Sequence, residues 1–221
     1  DLDPLRAEPD VSVQMVRQGE ALPGDADVIL LPGSKATLHD LVALKAAGWD
    51  IDIQAHVRRG GRVLGLCAGY QMLGQRISDP DSVEGGGTAE GLGLLDVSTV
   101  LAPAKTLGLQ EGLALGEAIH GYEMHMGRTI GPDAERPFVT FANGDIDGAN
   151  GRTGRIAGTY LHGLFAADGF RKAFLASLGA TSTANYDAEV DQVLNALADH
   201  LEAHLDLDAL LAVAQPCSAS T

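Results

Sequence analysis

A cysteine set between two glycines constrains this chain most, because it joins an apolar strand-like run to a helical segment. The sequence VLGLCAGYQMLG spans residues 63–74 and places Cys67 between Gly65 and Gly69. A strand, a sharp turn and a helix in this order form a nucleophile elbow, which lifts the side chain at the turn into a cleft. Glycines suit such a turn because neighbouring side chains would crowd it. We therefore predict that Cys67 is a nucleophile and not only a small buried thiol.

The segments before this turn have the periodicity of an α/β fold. Residues 27–31 and 62–67 are short apolar runs typical of buried strands, and residues 11–15 alternate apolar with polar side chains, which also predicts a strand. Residues 37–49, with Thr37 as the predicted cap, and residues 52–59 have helical spacing. Strand, helix and strand in units of about thirty residues predict a right-handed crossover and a parallel sheet covered on both faces.

The composition and periodicity of the sequence change after Gly74. Residues 78–91 are rich in Gly and Asp and predict a loop. Short β-like runs then alternate with turns over residues 92–160, which predicts an antiparallel extension of the sheet. Helical patterns return over residues 169–179 and 190–205. The fold class predicted is α/β, mostly a parallel sheet flanked by helices, with an antiparallel extension.

We predict one domain over residues 1–214 and a disordered tail over residues 215–221. The chain begins without Met, so it is expected to be a fragment. A formal net charge of -15 without a basic cluster argues against nucleic acid as a partner. We expect a cytoplasmic protein with no membrane partner, because no apolar run approaches the length of a membrane-spanning helix and the first residues lack a signal-peptide pattern. Cys67 and Cys217 have no metal-ligand spacing, so no metal site is expected.

A thiol nucleophile needs donors for the oxyanion that forms when it attacks a carbonyl carbon. The backbone N–H of Ala68, at the start of the predicted helix, is the first candidate. The sequence LLPGSK ends the preceding parallel strand, and loops at the carboxyl ends of adjacent parallel strands face one crevice. The backbone of Gly33 and Ser34 is therefore the second candidate.

The thiol also needs a base, and seven histidines are available. His162 follows the apolar run IAGTYL and so falls at a strand end, beside Gly163, where functional groups of parallel sheets gather. His120 and His125 flank GYEM and are secondary candidates. The remaining histidines are predicted to be solvated surface residues: His39, His56, His200 and His204.

Four ordered motifs, besides the cysteine turn, carry a resemblance to a known family. They are LLPGSKATLHDL, GLGLLDVSTVL, GYEMHMGRT and GTYLHGLF. Together with GLCAGYQ they resemble the class I (triad-type) glutamine amidotransferases, specifically the C-terminal glutaminase domain of the cobyric acid synthase family. The resemblance extends from about residue 3 to the final helix.

The resemblance implies that Cys67 attacks the side-chain amide of glutamine and that His162 serves as acid and base. Most triad amidotransferases carry Glu two residues after this histidine, whereas Leu164 stands there in this chain. The third triad member is therefore unassigned, and Glu123 is one candidate beside a backbone carbonyl or water. Residues that would shape or support the pocket are Tyr70, Gln71, Glu123 and His125.

The resemblance further implies an ATP-dependent synthase domain, which is absent from this sequence together with its phosphate loop. This domain of the same polypeptide would use ATP and Mg and would bind a corrinoid acceptor, adenosylcobyrinic acid a,c-diamide. The glutaminase part itself is expected to need no cofactor. The alternatives are a glutaminase subunit of a lipid II amidating complex, a catalytically inactive amidotransferase-like scaffold, and a cysteine peptidase on a related fold.

Overall fold

The computed structural model describes residues 1–214, and the predicted tail over residues 215–221 lies outside them, as does Cys217. The chain separates into two compact units, Asp1–Thr183 and Ala184–Thr221. The single domain over residues 1–214 stays a prediction, and within that range the structure distinguishes these two units. No helix among the described residues is long and apolar enough to span a bilayer.

Eleven strands are present in the described part of the first unit. In chain order they are β1 (Val28–Leu31), β2 (Arg62–Leu66), β3 (Arg76–Asp79), β4 (Gly87–Glu90), β5 (Ser98–Ala114), β6 (Glu117–Ile130), β7 (Val139–Phe141), β8 (Ile146–Asp147), β9 (Ala149–Asn150), β10 (Ile156–Thr159) and β11 (Leu161–His162). Its helices are α1 (Asp3–Arg6), α2 (Thr37–Ala46), α3 (Trp49–Arg58), α4 (Ala68–Leu73) and α5 (Asp168–Ala176), with short 3₁₀ turns at Pro132–Glu135 and Leu164–Ala166.

The first sheet has the order β1-β2-β10-β9, in which β2 pairs in parallel with both β1 and β10. Side chains alternate between its two faces, as they do in any strand. Val63 enters a core that contains Leu41 of α2 and Ile53 of α3. Leu64, the next residue, enters a second core that contains Phe170 of α5. The predicted parallel sheet with apolar faces on both sides is therefore confirmed.

The second sheet is dominated by the long antiparallel hairpin of β5 and β6. Its strand order is β11-β6-β5-β3-β4, with β3 and β5 parallel; β7 pairs with β5, and β8 pairs with β7. Antiparallel strands within residues 92–160 are confirmed, but they form a second sheet, and β10, which the predicted extension included, pairs in parallel with β2 of the first sheet. Strand β10 of the first sheet and strand β11 of the second are separated only by Tyr160, so the chain changes sheets at this residue.

Three local predictions from the sequence were wrong. Residues 11–15 form no strand, although Val11 and Val13 do pack against the second core. The predicted loop over residues 78–91 contains the end of β3 and all of β4, which pair with each other. Thr37 was predicted to cap helix α2, but it is the first residue of the helix. Its backbone N–H donates to Glu84 Oε2 at 2.5 Å, so the capping side chain is that of Glu84.

The second unit contains two helices within the described residues. They are α6 (Tyr186–His204) and α7 (Leu207–Val213). Each begins with a side-chain cap, because Asn185 accepts from the N–H of Ala188 and Asp206 accepts from the N–H of Ala209. The helical pattern predicted over residues 190–205 is confirmed.

Candidate active site

The turn at Cys67 has the backbone geometry of a nucleophile elbow. Cys67 follows β2 and precedes α4, and its φ of 53° and ψ of -110° lie outside the regions that L residues prefer. Its N–H donates to the carbonyl of Thr159 at 2.8 Å, which extends the ladder between β2 and β10 by one bond. Because strained conformations of this kind persist only where the surroundings enforce them, the turn is consistent with a functional role.

The two glycines beside Cys67 are required by close backbone contacts. A Cβ on Gly65 would lie 2.6 Å from the backbone of Gly69, and a Cβ on Gly69 would lie 2.0 Å from the carbonyl oxygen of Leu31. Real Cβ atoms do not approach backbone atoms so closely. The glycines thus allow α4 to begin directly against β1 and β2.

The thiol group of Cys67 has a backbone partner on the second sheet. Its Sγ lies 3.4 Å from the carbonyl oxygen of Met124 in β6, to which the thiol donates. The side chain is partly exposed. The hairpin of β5 and β6 therefore forms one wall of the site that contains the candidate nucleophile.

The predicted oxyanion donors surround this position. Ala68 is the first residue of α4, and the first amides of a helix have no partner within the helix. A Cβ built on Gly33 would lie 3.6 Å from Cys67 Cβ and 3.4 Å from His162 Cε1, so the loop after β1 borders both residues. The Ser34 hydroxyl donates to Asp40 Oδ2 at 2.5 Å and accepts the N–H of Ala36 at 2.9 Å, so the Ser34 side chain is bonded within its own segment.

His162 lies in β11, and its ring is held on two sides. Its Nδ1 lies 2.8 Å from Asp1 Oδ2, and the ring stacks on that of Tyr122 with centroids 5.1 Å apart. The other oxygen of Asp1 accepts the N–H of Gly163 at 2.7 Å. The structure thus brings the His162 ring, Gly33 and Cys67 together at one site.

The secondary histidine candidates have other surroundings. His120 is exposed on β6. His125 stacks on Tyr160 with ring centroids 3.8 Å apart, and burial lowers its pKa. Its Nε2 lies 3.8 Å from Glu123 Oε1, and the other oxygen of Glu123 accepts from Gln110 at 2.6 Å. Glu123 and His125 thus lie next to each other. Glu123 also contacts the hairpin through Gln110, and His125 also contacts Tyr160.

Gln71 and Tyr70, predicted to shape the pocket, are buried behind the nucleophile. The amide of Gln71 donates to the carbonyl of Met126 at 3.1 Å and to the Tyr160 hydroxyl at 3.2 Å. Tyr70 packs edge-on against Tyr160, and burial raises the pKa of both phenols, that of Tyr160 to about 12. These bonds join α4, which carries the elbow, to the hairpin and to the residue at which the chain changes sheets.

Asp147 stabilises the backbone just before the catalytic histidine candidate. Its Oδ2 accepts from the Thr159 hydroxyl and, at 2.8 Å, from the N–H of Tyr160. Burial raises the pKa of Asp147 to about 6. The carboxyl group therefore fixes the crossing between β10 and β11 and, through it, the start of the strand that ends at His162.

The prediction of a solvated His56 was wrong. His56 is buried, and its Nε2 lies 2.9 Å from the carbonyl oxygen of Arg62. It fills the space beside Gly61, where a Cβ would lie 2.2 Å from the imidazole. The other three histidines of that group, His39, His200 and His204, are exposed as predicted.

Sequence reasoning missed two contacts of this site. Asp1 is 161 positions from His162, and no local pattern links a carboxylate at the start of the chain to a strand end near residue 160. The stacking of Tyr122 on His162 follows from the register of β6 and β11, which a sequence does not show. Leu164, at the position where most triad amidotransferases carry Glu, is buried in the second core. No group of three potential metal ligands occurs among residues 1–214.

Comparison with protein families gives one match that covers most of the chain. The model of the CobB/CobQ-like glutamine amidotransferase domain matches residues 1–170. This range contains Asp1, Gly33, Cys67 and His162.

Curated relatives are also similar over nearly the whole chain. The cobyric acid synthase of Paracoccus denitrificans is 57% identical over 216 residues, and that of Methylobacterium nodulans is 58% identical over 218 residues. Each alignment covers 97% of this chain and 45% of the relative. The chain thus spans a little under half the length of these relatives.

Two solved structures have a similar fold. One is described as a crystal structure of glutamine amidotransferase, with a TM-score of 0.58, 19% identity, and coverage of 81% of this chain and 92% of that one. The other is described as the structure of PurLQS from Thermotoga maritima, with a TM-score of 0.57, 16% identity, and coverage of 80% and 91%. At these identities the likeness extends to the fold alone.

Proposed function

The chain belongs to the CobB/CobQ-like glutamine amidotransferase family, and from this membership we propose that it hydrolyses glutamine with Cys67 as nucleophile and His162 as acid and base. The observation that carries the proposal is the meeting of three segments at one site. The strained Cys67 turn and the His162 ring both border Gly33, although the three residues are far apart in the sequence.

In the first half of the reaction, His162 accepts the proton of the Cys67 thiol while the sulfur attacks the side-chain amide carbon of glutamine. The tetrahedral oxyanion receives hydrogen bonds from the N–H of Ala68 and from the backbone of Gly33 and Ser34. The C–N bond then breaks, and His162 returns the proton to the leaving nitrogen. The products of this half are ammonia and a glutamyl thioester on Cys67.

In the second half of the reaction, a water molecule takes the role of the attacking nucleophile. His162 removes a proton from water as its oxygen attacks the thioester carbon, and the same backbone donors stabilise the second oxyanion. The C–S bond breaks, and the proton from His162 goes to the Cys67 sulfur. Glutamate leaves, and the free thiol is restored.

The ammonia would be used by a domain beyond the matched part of the relatives. The relatives named cobyric acid synthase are more than twice as long as the aligned segment. We propose that the remainder of such a protein uses ATP and Mg to activate carboxylates of adenosylcobyrinic acid a,c-diamide, which the ammonia then amidates to adenosylcobyric acid. This chain would supply the nitrogen and would itself bind only glutamine.

Ammonia release from glutamine by the full-length protein tests the proposal. We expect Cys67→Ser and His162→Asn to lower kcat at least ~10³-fold, because loss of a nucleophile or its base removes the covalent route. His39→Asn is the matched control, since the His39 side chain is 82% exposed and its Nδ1 lies 3.3 Å from Asp40 Oδ1. Wild-type protein that releases no ammonia, or a Cys67→Ser variant that keeps wild-type turnover, would contradict the proposal and favour an inactive scaffold.

A further inference from the structure

The carboxylate of Asp1 makes two contacts with the strand end that carries His162. Oδ2 lies 2.8 Å from His162 Nδ1, and Oδ1 accepts the N–H of Gly163 at 2.7 Å. The two carboxylate oxygens of Asp1 therefore each have a partner, on two adjacent residues. The two side chains are mostly shielded from solvent, with 14% of His162 and 24% of Asp1 exposed. Such a two-point contact fixes the direction of the carboxylate as well as its distance from the ring.

The segment that carries Asp1 is anchored to the protein. Pro4 and Leu5 in α1 are buried, and Leu5 belongs to the second core. Glu8 is 2% exposed, and its Oε1 lies 2.6 Å from Nε of Arg171, which is itself 0% exposed. Asp1 is thus positioned by a segment that two kinds of buried contact hold in place.

Glu123, the carboxylate considered from the sequence, is directed elsewhere. In the pairing of β6 with β11, Tyr122 lies opposite His162 and Glu123 lies opposite Leu161. Successive side chains of a strand point to opposite faces, so Glu123 lies on the face away from the His162 ring. Its carboxylate instead accepts from Gln110.

We propose that Asp1 is the positioning residue of His162 and takes the place of the carboxylate found two residues after the histidine in most triad amidotransferases. This inference rests on the proposed function. Asp1 accepts the Nδ1–H of the imidazole, which leaves the lone pair on Nε2 for the thiol proton. Its negative charge then stabilises the imidazolium that forms during the attack. Stacking on Tyr122 restricts rotation of the ring from its face.

The test is steady-state glutamine hydrolysis by full-length Asp1→Asn, Asp1→Glu and Asp3→Asn variants. We expect Asp1→Asn to lower kcat roughly 10²-fold with KM within about twofold, a smaller loss than the ~10⁴-fold that follows Asp→Asn in a serine protease triad, because Asp1 is partly exposed. Asp1→Glu should recover at least tenfold of this loss. Asp3→Asn is the matched control, since the Asp3 carboxylate is 71% exposed and pairs with Arg6.

An Asp1→Asn variant with wild-type kcat would overturn the inference. So would an equal loss in Asp1→Asn and Asp1→Glu accompanied by a lower melting temperature, because this pattern indicates a structural contact only. Nitrogen-15 NMR of labelled histidine separates the inference from the proposed function. At a pH where the ring is neutral, His162 should carry its proton on Nδ1 in wild-type protein and lose this preference in Asp1→Asn.

This signature does not depend on turnover. If wild-type protein releases no ammonia but the tautomer changes in Asp1→Asn, the proposed function fails and the positioning by Asp1 stands. An unchanged tautomer in Asp1→Asn overturns the positioning role whatever the activity.

Discussion

At the scale of single residues, the site depends on how closely the backbone of α4 approaches the strands beside it. Gly69 lies against the carbonyl oxygen of Leu31, and the space between them is smaller than a methyl group. Because α4 packs directly against the end of β1, Cys67 just before α4 lies next to Gly33, which follows β1.

We predict that Gly69→Ala lowers the free energy of unfolding by at least about 2 kcal/mol, because the added Cβ would lie 2.0 Å from the Leu31 oxygen. Gly108→Ala is the matched control. Gly108 lies in β5 with no heavy atom within 4 Å of a Cβ, so we expect a change within about 0.5 kcal/mol. Urea unfolding measures both, and equal stability of the two variants would show that the elbow is not tightly packed.

The residues that sequence reasoning could find are those with local signals. Cys67 stands out because an apolar run, two glycines and a helical pattern surround it, and His162 because it ends a strand. His56 also lies in a helical pattern, but its burial depends on how the turn that ends α3 folds back, which places Gly61 directly against the imidazole. Asp1 contacts His162 through the tertiary fold alone, so the sequence offered no signal for it.

At the scale of elements, the segment that carries Asp1 is held in the fold by buried hydrogen bonds and an ion pair of Glu8. The carboxylate of Glu8 accepts from Arg171 in α5, from the Ser182 hydroxyl at 2.5 Å and from the N–H of Thr183 at 2.9 Å. Arg171 also lies 2.6 Å from Asp168, and its guanidinium donates to the carbonyl of Phe165 at 2.8 Å. One buried ion pair thus joins the start of the chain, α5 and the end of the first unit.

We predict that Glu8→Gln lowers the free energy of unfolding by about 3 kcal/mol, because it leaves the buried Arg171 without part of its compensating charge. We also expect lower glutamine turnover, since the segment that carries Asp1 loses its anchor. Glu20→Gln is the control, because Glu20 is exposed and its side chain accepts the N–H of Arg17 three residues away. Thermal unfolding and ammonia release measure both effects. Equal melting temperatures of the two variants would contradict this role of Glu8.

Helices and strands with a clear periodicity in their own sequence could be predicted. Segments whose conformation depends on pairing or packing with another part of the fold could not. Helices α2, α3, α5 and α6 and strands β1 and β2 follow local patterns. Strand β4 has the Gly-rich sequence of a loop and is a strand only because it pairs with β3. Residues 11–15 alternate like a strand, yet they are held by the packing of Val11 and Val13 against the second core and not by a hydrogen-bonded ladder.

At the scale of the whole molecule, the site lies where the two sheets meet. Cys67 follows β2 of the first sheet, and His162 lies on β11, an outer strand of the second sheet. Tyr160 connects β10 of the first sheet to β11 of the second. The sequence predicted both parallel and antiparallel strand pairing, but it placed β10 in the antiparallel part, whereas β10 pairs in parallel with β2. It could not predict that the hairpin of β5 and β6 would place Met124 against the thiol, because this contact depends on strand register and on a shift of register within the hairpin.

Every step of the proposed mechanism depends on Cys67 as the nucleophile that attacks the glutamine side chain. The most direct measurement is mass spectrometry of the full-length protein after incubation with the glutamine analogue diazo-oxo-norleucine. We predict one adduct per chain, with the mass of the analogue less dinitrogen, located on the peptide that contains Cys67 and absent from Cys67→Ser. Cys217 provides an internal control thiol in the same sample. An unmodified Cys67, or an adduct that persists in Cys67→Ser, would contradict the claim.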